Sequence, residues 1–223
     1  MDSRDIQVLH LRSLSVQPVL LRAIFPSTRA GEILEKAKNH IHRTYDISLQ
    51  VYAVEDATWG RFACTSGEPN KLAKAWYECA IRLSEGYFNF YEQARFGINF
   101  VLPSHFVDLL LFDGDLMRIA HRSRTRILVK HECLMRSTER VVQINAGIVG
   151  DESLKCFEEA VYLLAITIQD KSGLALSAGD SFYQERATDN IVRYLIHSNE
   201  RNVVFDYTSQ REIDEEEPVI HPV

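Results

Sequence analysis

Five cations fall within thirteen residues, at Arg118, Arg122, Arg124, Arg126 and Lys130. Guanidinium groups at that density bind phosphates or stack on bases, so this stretch can hold a single nucleic-acid strand. The competing reading is a solvated face on which the same cations offset Asp108, Asp113, Asp115 and Glu132. No other residue set points to chemistry. His40, His42, His105, His121 and His131 occur without the cysteine spacing of a zinc site. Asp113-Gly114-Asp115 opens like a calcium loop, but no glutamate follows at the distance such a loop needs. There is no phosphate-binding P-loop and no G-x-S-x-G elbow, so the chain is read as a non-enzyme without cofactor or metal.

Charge limits the partners. The formal net charge is −6, which argues against a polyanion-binding protein as a whole. Its distribution is uneven. Residues 1–95 carry 12 Lys+Arg against 11 Asp+Glu, residues 96–172 carry 9 against 10, and residues 173–223 carry 4 against 10. Basic surface therefore remains available in the first two-thirds. Cys64, Cys79, Cys133 and Cys156 form no CxxC pair, and each lies in an apolar or amphipathic run, as reduced core cysteines do. With no signal-peptide pattern and no apolar run of membrane-spanning length, the expected location is cytoplasmic or nuclear, with no membrane partner.

The elements that must position these residues form one pattern written twice. In the first copy, Val19–Phe25 reads as a strand stopped by Pro26, with Ser27 as a helix cap. The helix runs through Ala30, Ile33 and Leu34, and a second short helix is predicted over Asn39–Tyr45. Strands follow over 48–54 and 61–65, and then a helical face of Leu72, Ala75, Trp76, Cys79, Ala80 and Leu83. The second copy has a strand over 98–102, Pro103, and Ser104 as a cap. Strands over 127–130 and 139–144 come next, and then a stripe of Leu154, Phe157, Val161, Leu164 and Ile168. Both copies read βααββα. The fold class expected is α+β: two modules over residues 17–86 and 98–170, each a three-stranded antiparallel sheet on three helices.

Residues 87–97 join them with Tyr87, Phe88, Phe90, Tyr91 and Phe96 where a free linker would be polar, so a fixed arrangement is expected. Residues 171–223 form an extension, with a helix predicted over 182–197. A strand-like Val203–Tyr207 follows, which either docks on a module or binds a partner, and then a flexible tail containing Asp214-Glu215-Glu216-Glu217.

The words in this pattern resemble the type I KH (hnRNP K homology) domain family, as found in tandem in poly(C)-binding and Bicaudal-C-like proteins. "VLPSHFVDLLLFDG" is similar to the family's first strand, first helix and gripping loop, and "RSTERVVQINAG" to its third strand. "AIFPSTRAGEILEKAKNHI" and "GRFACTSGEPNKLAKA" match more loosely. Such domains hold four nucleotides against a G-x-x-G loop, where glycine lets the sugar-phosphate reach backbone N–H groups at a helix start. Both copies depart from it. The loop position holds Glu35-Lys36-Ala37-Lys38 in the first, and Leu111-Phe112-Asp113-Gly114 in the second. The resemblance also places the five cations beside the second copy's groove. It implies a protein of post-transcriptional RNA regulation that acts mainly as a scaffold for a protein partner in an RNA-regulatory complex. RNA contact is then weak or accessory. The alternative is direct single-stranded RNA binding through the Arg-rich groove.

Overall fold

A computed structural model describes residues 18–25, 28–52, 61–87, 97–145, 151–175, 179–182 and 202–206. The chain order is β1 (Val19–Phe25), α1 (Thr28–Tyr45), β2 (Ser48–Tyr52), β3 (Arg61–Gly67) and α2 (Pro69–Tyr87), then β4 (Gly97–Pro103). It continues with α3 (Ser104–Phe112), α4 (Asp115–Ser123), β5 (Arg126–Cys133), β6 (Glu139–Asn145), α5 (Asp151–Asp170), a single 3₁₀ turn (Ser172–Leu174) and β7 (Val203–Phe205). The fold is mixed α+β, and the strands form one seven-stranded antiparallel sheet in the order β2-β3-β1-β4-β6-β5-β7.

Alternation along the strands divides the sheet into two faces. Leu21, Ala23, Phe25, Phe100, Leu102, Ile127, Val129, Val142 and Ile144 join the main core under the helices, while Ile24, Phe62, Val101, Leu134 and Val141 pack on the other side. The two halves of the sheet meet at β1 and β4, where Ala23 pairs with Phe100 and Ile24 with Asn99. On the helical side α2 lies against α5. Trp76 of α2 spans the seam. Its indole N–H donates to Thr65 Oγ1 at 2.9 Å, it stacks on Phe25 at 6.4 Å, and it meets Phe100 of the second half edge-on at 5.2 Å. On the opposite face Arg22 of β1 reaches Glu139 of β6 at 2.5 Å, with the carboxylate 1% exposed.

Three expectations need correction. The first half has one helix where two were predicted: α1 runs unbroken from Thr28 to Tyr45. Leu34, Ala37 and Ile41 are all fully buried, so one apolar face passes straight through the supposed loop, and no glycine or proline between 33 and 45 interrupts it. Ser104 does not cap α3. It is the first helical residue, the cap position belongs to Pro103, and no side chain closes that end. Cys79 is buried and Cys64 and Cys156 are half-buried, but Cys133, near the end of β5, is exposed. Ser27, the aromatic residues 88–96 and most of the predicted helix over 182–197 lie outside the described residues.

Candidate nucleic-acid interface

The two loop positions have different fates. Glu35, Lys36, Ala37 and Lys38 sit mid-helix in α1, with Ala37 buried and Lys38 paired to Glu35 at 2.6 Å. A mid-helix N–H is already bonded to the carbonyl four residues back and has nothing to offer a phosphate. In the second half the chain does turn. Phe112 ends α3, Asp113 closes it, and Gly114 takes φ 70° to begin α4, a conformation that glycine reaches without strain.

That turn is closed by its own contacts. The Asp113 N–H donates to Leu109 O at 2.9 Å and the Gly114 N–H to Leu111 O at 3.2 Å. Asp113 and the buried Asp115 both accept from Lys171, which arrives from the end of α5, at 2.6 Å in the case of Asp115. The bonds to Asp113 and then Asp115 hold the Lys171 ammonium above its ordinary pKa. Arg118 folds back over the same turn, donating to Asp113 O at 2.9 Å and pairing with Asp115. Two carboxylates and two cations thus compensate one another. Leu111 packs partly into the core, while the Phe112 ring at the tip is 89% exposed.

The five sequence-predicted cations do not gather into one patch. Arg118 is engaged at the turn. Arg122, on α4, and Arg124, in the left-handed position that ends α4, are exposed, and neither has an ion-pair partner among the described residues. Arg126 starts β5. Because Ile127 and Val129 face the helices, Arg126 points to the opposite side of the sheet, where its Nε is buried without a hydrogen-bond partner among the described residues. Lys130 lies in the irregular stretch between Val129 and Cys133 and is buried. Burial lowers its pKa, with the Glu132 carboxylate acting the other way.

The histidines are dispersed as well. His40 is 3.6 Å from Glu78, and His105 lies 3.1 Å from Asp180. Among the described residues no three His, Cys, Asp or Glu side chains are placed to hold a metal. No helix there is long and apolar enough to cross a membrane.

Two features escaped the sequence. One is Lys171, 56 residues from Asp115, a distance at which no local pattern operates. The other is the partner of β7: the strand expected at Val203–Tyr207, docked on a module or binding a partner, forms over Val203–Phe205 and pairs antiparallel with β5 along the edge beside α4. The hydrophobic word around Val203 marks a strand, but nothing in it names the strand it joins. No protein-family model matches the chain, and no curated protein matches it in sequence.

Proposed function

We propose that this is a tandem KH-like protein of post-transcriptional RNA regulation that works mainly as a protein-interaction scaffold, with weak or accessory RNA contact. What supports the reading is that each half contributes three antiparallel strands to the sheet, β2-β3-β1 and β4-β6-β5, with helices on one face. The observation that carries the scaffold reading is α1. A buried Ala37 inside a continuous helix leaves no loop at Glu35–Lys38, the position at which the first half would grip a sugar-phosphate. The closed, charge-compensated turn of the second half supports it too. The exposed tip residue Phe112, with the half-exposed Met117 one turn into α4, offers apolar surface of the kind protein partners use.

Direct RNA binding is the second reading, favoured by Arg122 and Arg124, which are exposed and have no ion-pair partner among the described residues. Capture of partners from lysate, with and without RNase, separates the two. The scaffold reading expects a discrete set of proteins that survives RNase. Loss of every partner on RNase treatment overturns it.

A further inference from the structure

The ladder that joins the two halves of the sheet is short. β1 pairs with β3, and β4 with β6, over all seven residues, but β1 and β4 pair with each other only at Ala23–Phe100 and Ile24–Asn99. The residues that would continue this ladder line a cavity of about 230 Å³: Val19, Leu20 and Arg22 on one strand, and Val101, Leu102 and Pro103 on the other. Phe106 of α3 and Ile168 of α5, both part of the main core, close it on the helical side. The remaining wall is the chain beyond α5, which contributes Ala175 and Phe182. That wall is pinned. His105 stands between Leu174 O at 3.0 Å and the Asp180 carboxylate at 3.1 Å, and Ser181 O accepts from the Thr138 N–H at 2.8 Å.

The lining selects the kind of molecule that fits. Among the lining side chains, polarity is confined to Arg22, Glu139, Gln169 and Ser172. The two charges compensate each other, since Arg22 and Glu139 meet at 2.5 Å with the carboxylate 1% exposed. A charged occupant would add a net charge beside this buried pair and lose its own hydration, which is unfavourable for either sign. Leu20 and Phe182 are large apolar side chains left 52% and 47% exposed, so an apolar occupant would remove surface from water on both. Size sets the remaining limit. An apolar cavity of ~150 Å³ takes benzene, so the larger volume here has room for roughly ten non-hydrogen atoms.

We propose that the cavity between β1 and β4 is a binding site for a small, neutral, mainly apolar molecule with one hydrogen-bonding group. None of the five cations and none of the α3–α4 turn residues lines it, so the site stands apart from both the scaffold and the RNA readings. The occupant touches β1 of the first half together with β4, β6, α3 and α5 of the second. Binding therefore adds to the stability of the seam.

The test uses the full chain, isotopically labelled at Leu and Val methyl groups and followed by NMR. It is titrated with the neutral molecules acetophenone and 2-octanone, and with benzoate and phenethylammonium as charged counterparts of similar size. At least one neutral molecule should shift the Val19, Leu20, Val101 and Leu102 methyls saturably, with Kd near or below about 1 mM, a range open to ligands this small. The charged molecules should bind at least tenfold more weakly. Ala175→Trp, which fills the cavity from its outer wall, should weaken neutral binding at least tenfold. Phe182→Ala serves if the filled variant does not fold, and the loss of that wall should weaken binding at least threefold. No saturable shift from either neutral molecule overturns the site. Equal binding of charged and neutral molecules overturns its chemistry. Neutral binding that a folded Ala175→Trp, or in its place Phe182→Ala, leaves unchanged puts the ligand elsewhere and overturns the proposal.

Discussion

Replacing Arg22 by Met tests how firmly the two halves are held together. Glu139 is 1% exposed and Arg22 16% exposed, and the two meet at 2.5 Å from opposite sides of the β1–β4 junction. Removing one partner of a buried ion pair costs about 3–5 kcal/mol, because the remaining charge keeps its desolvation and loses its compensation. The lower end applies here, since Arg22 is partly solvated and both side chains make further contacts. The guanidinium also lies 4.5 Å from the Phe62 ring centre, and losing that cation–π contact adds about 0.5–2 kcal/mol, of which the methionine side chain restores part as ordinary packing. The expected cost is about 3–4 kcal/mol, or roughly 6–16 °C in Tm for a chain of this size. Equilibrium urea unfolding of Arg22→Met, Glu139→Met and the double variant completes the cycle. The double variant should regain much of the loss, because an apolar pair of similar volume is tolerated where a lone charge is not, giving a coupling of about 2–3 kcal/mol. A single-variant cost under about 1 kcal/mol, or a coupling near zero, would show that the pair does not stabilise the seam.

Ala37→Gly in α1 should destabilise by about 2 kcal/mol, from helix propensity and one buried methyl, without raising RNA affinity. Affinity for single-stranded RNA that rose fivefold or more would mean that this position acts as a loop. Lys171→Gln should cost about 1–2 kcal/mol at neutral pH, the range for a charge-assisted bond to a buried carboxylate. The Lys171 pKa is raised on folding, so its contribution is complete below the unfolded value near 10.4 and fades as pH rises through the folded value. The wild-type and Lys171→Gln stability curves, from urea midpoints measured between pH 7 and 11.5, should therefore converge on the alkaline side. A gap that stays constant to pH 11.5 would refute the clamp on Asp113 and Asp115.

The strands and the helical faces were legible because both are written in local periodicity. Val19–Phe25 is an apolar run that stops at a proline, Ser48–Tyr52 alternates, and Leu72 to Leu83 repeats at helical spacing, so these elements lie where the patterns put them. The division of α1 was misread for a related reason. The two-helix expectation follows the βααββα pattern, whereas Leu34, Ala37 and Ile41 share one face and nothing between them breaks a helix. The candidate site was legible only as residue types. Clustering in sequence brought Arg118, Arg122, Arg124, Arg126 and Lys130 together, but a helix, a left-handed cap and a strand separate their directions. The contacts that decide what the turn can do, Lys171 with the two aspartates and β7 with β5, join segments tens of residues apart. Periodicity carries no information at that range.

The position of β7 in the chain also sets a clock. Translation delivers about 5–20 residues per second, and about 60 residues separate the end of β6 from β7, so the β5 edge can form some 3–12 s before its cover exists. During that interval a polysome carries nascent chains with the edge bare, held close to the messenger being read. Any strand that pairs there during synthesis meets no competitor, whereas one arriving afterwards has to displace β7. Occupancy would then record when the two molecules met as well as how tightly they bind, and protein made in the presence of the ligand need not match protein mixed with it later.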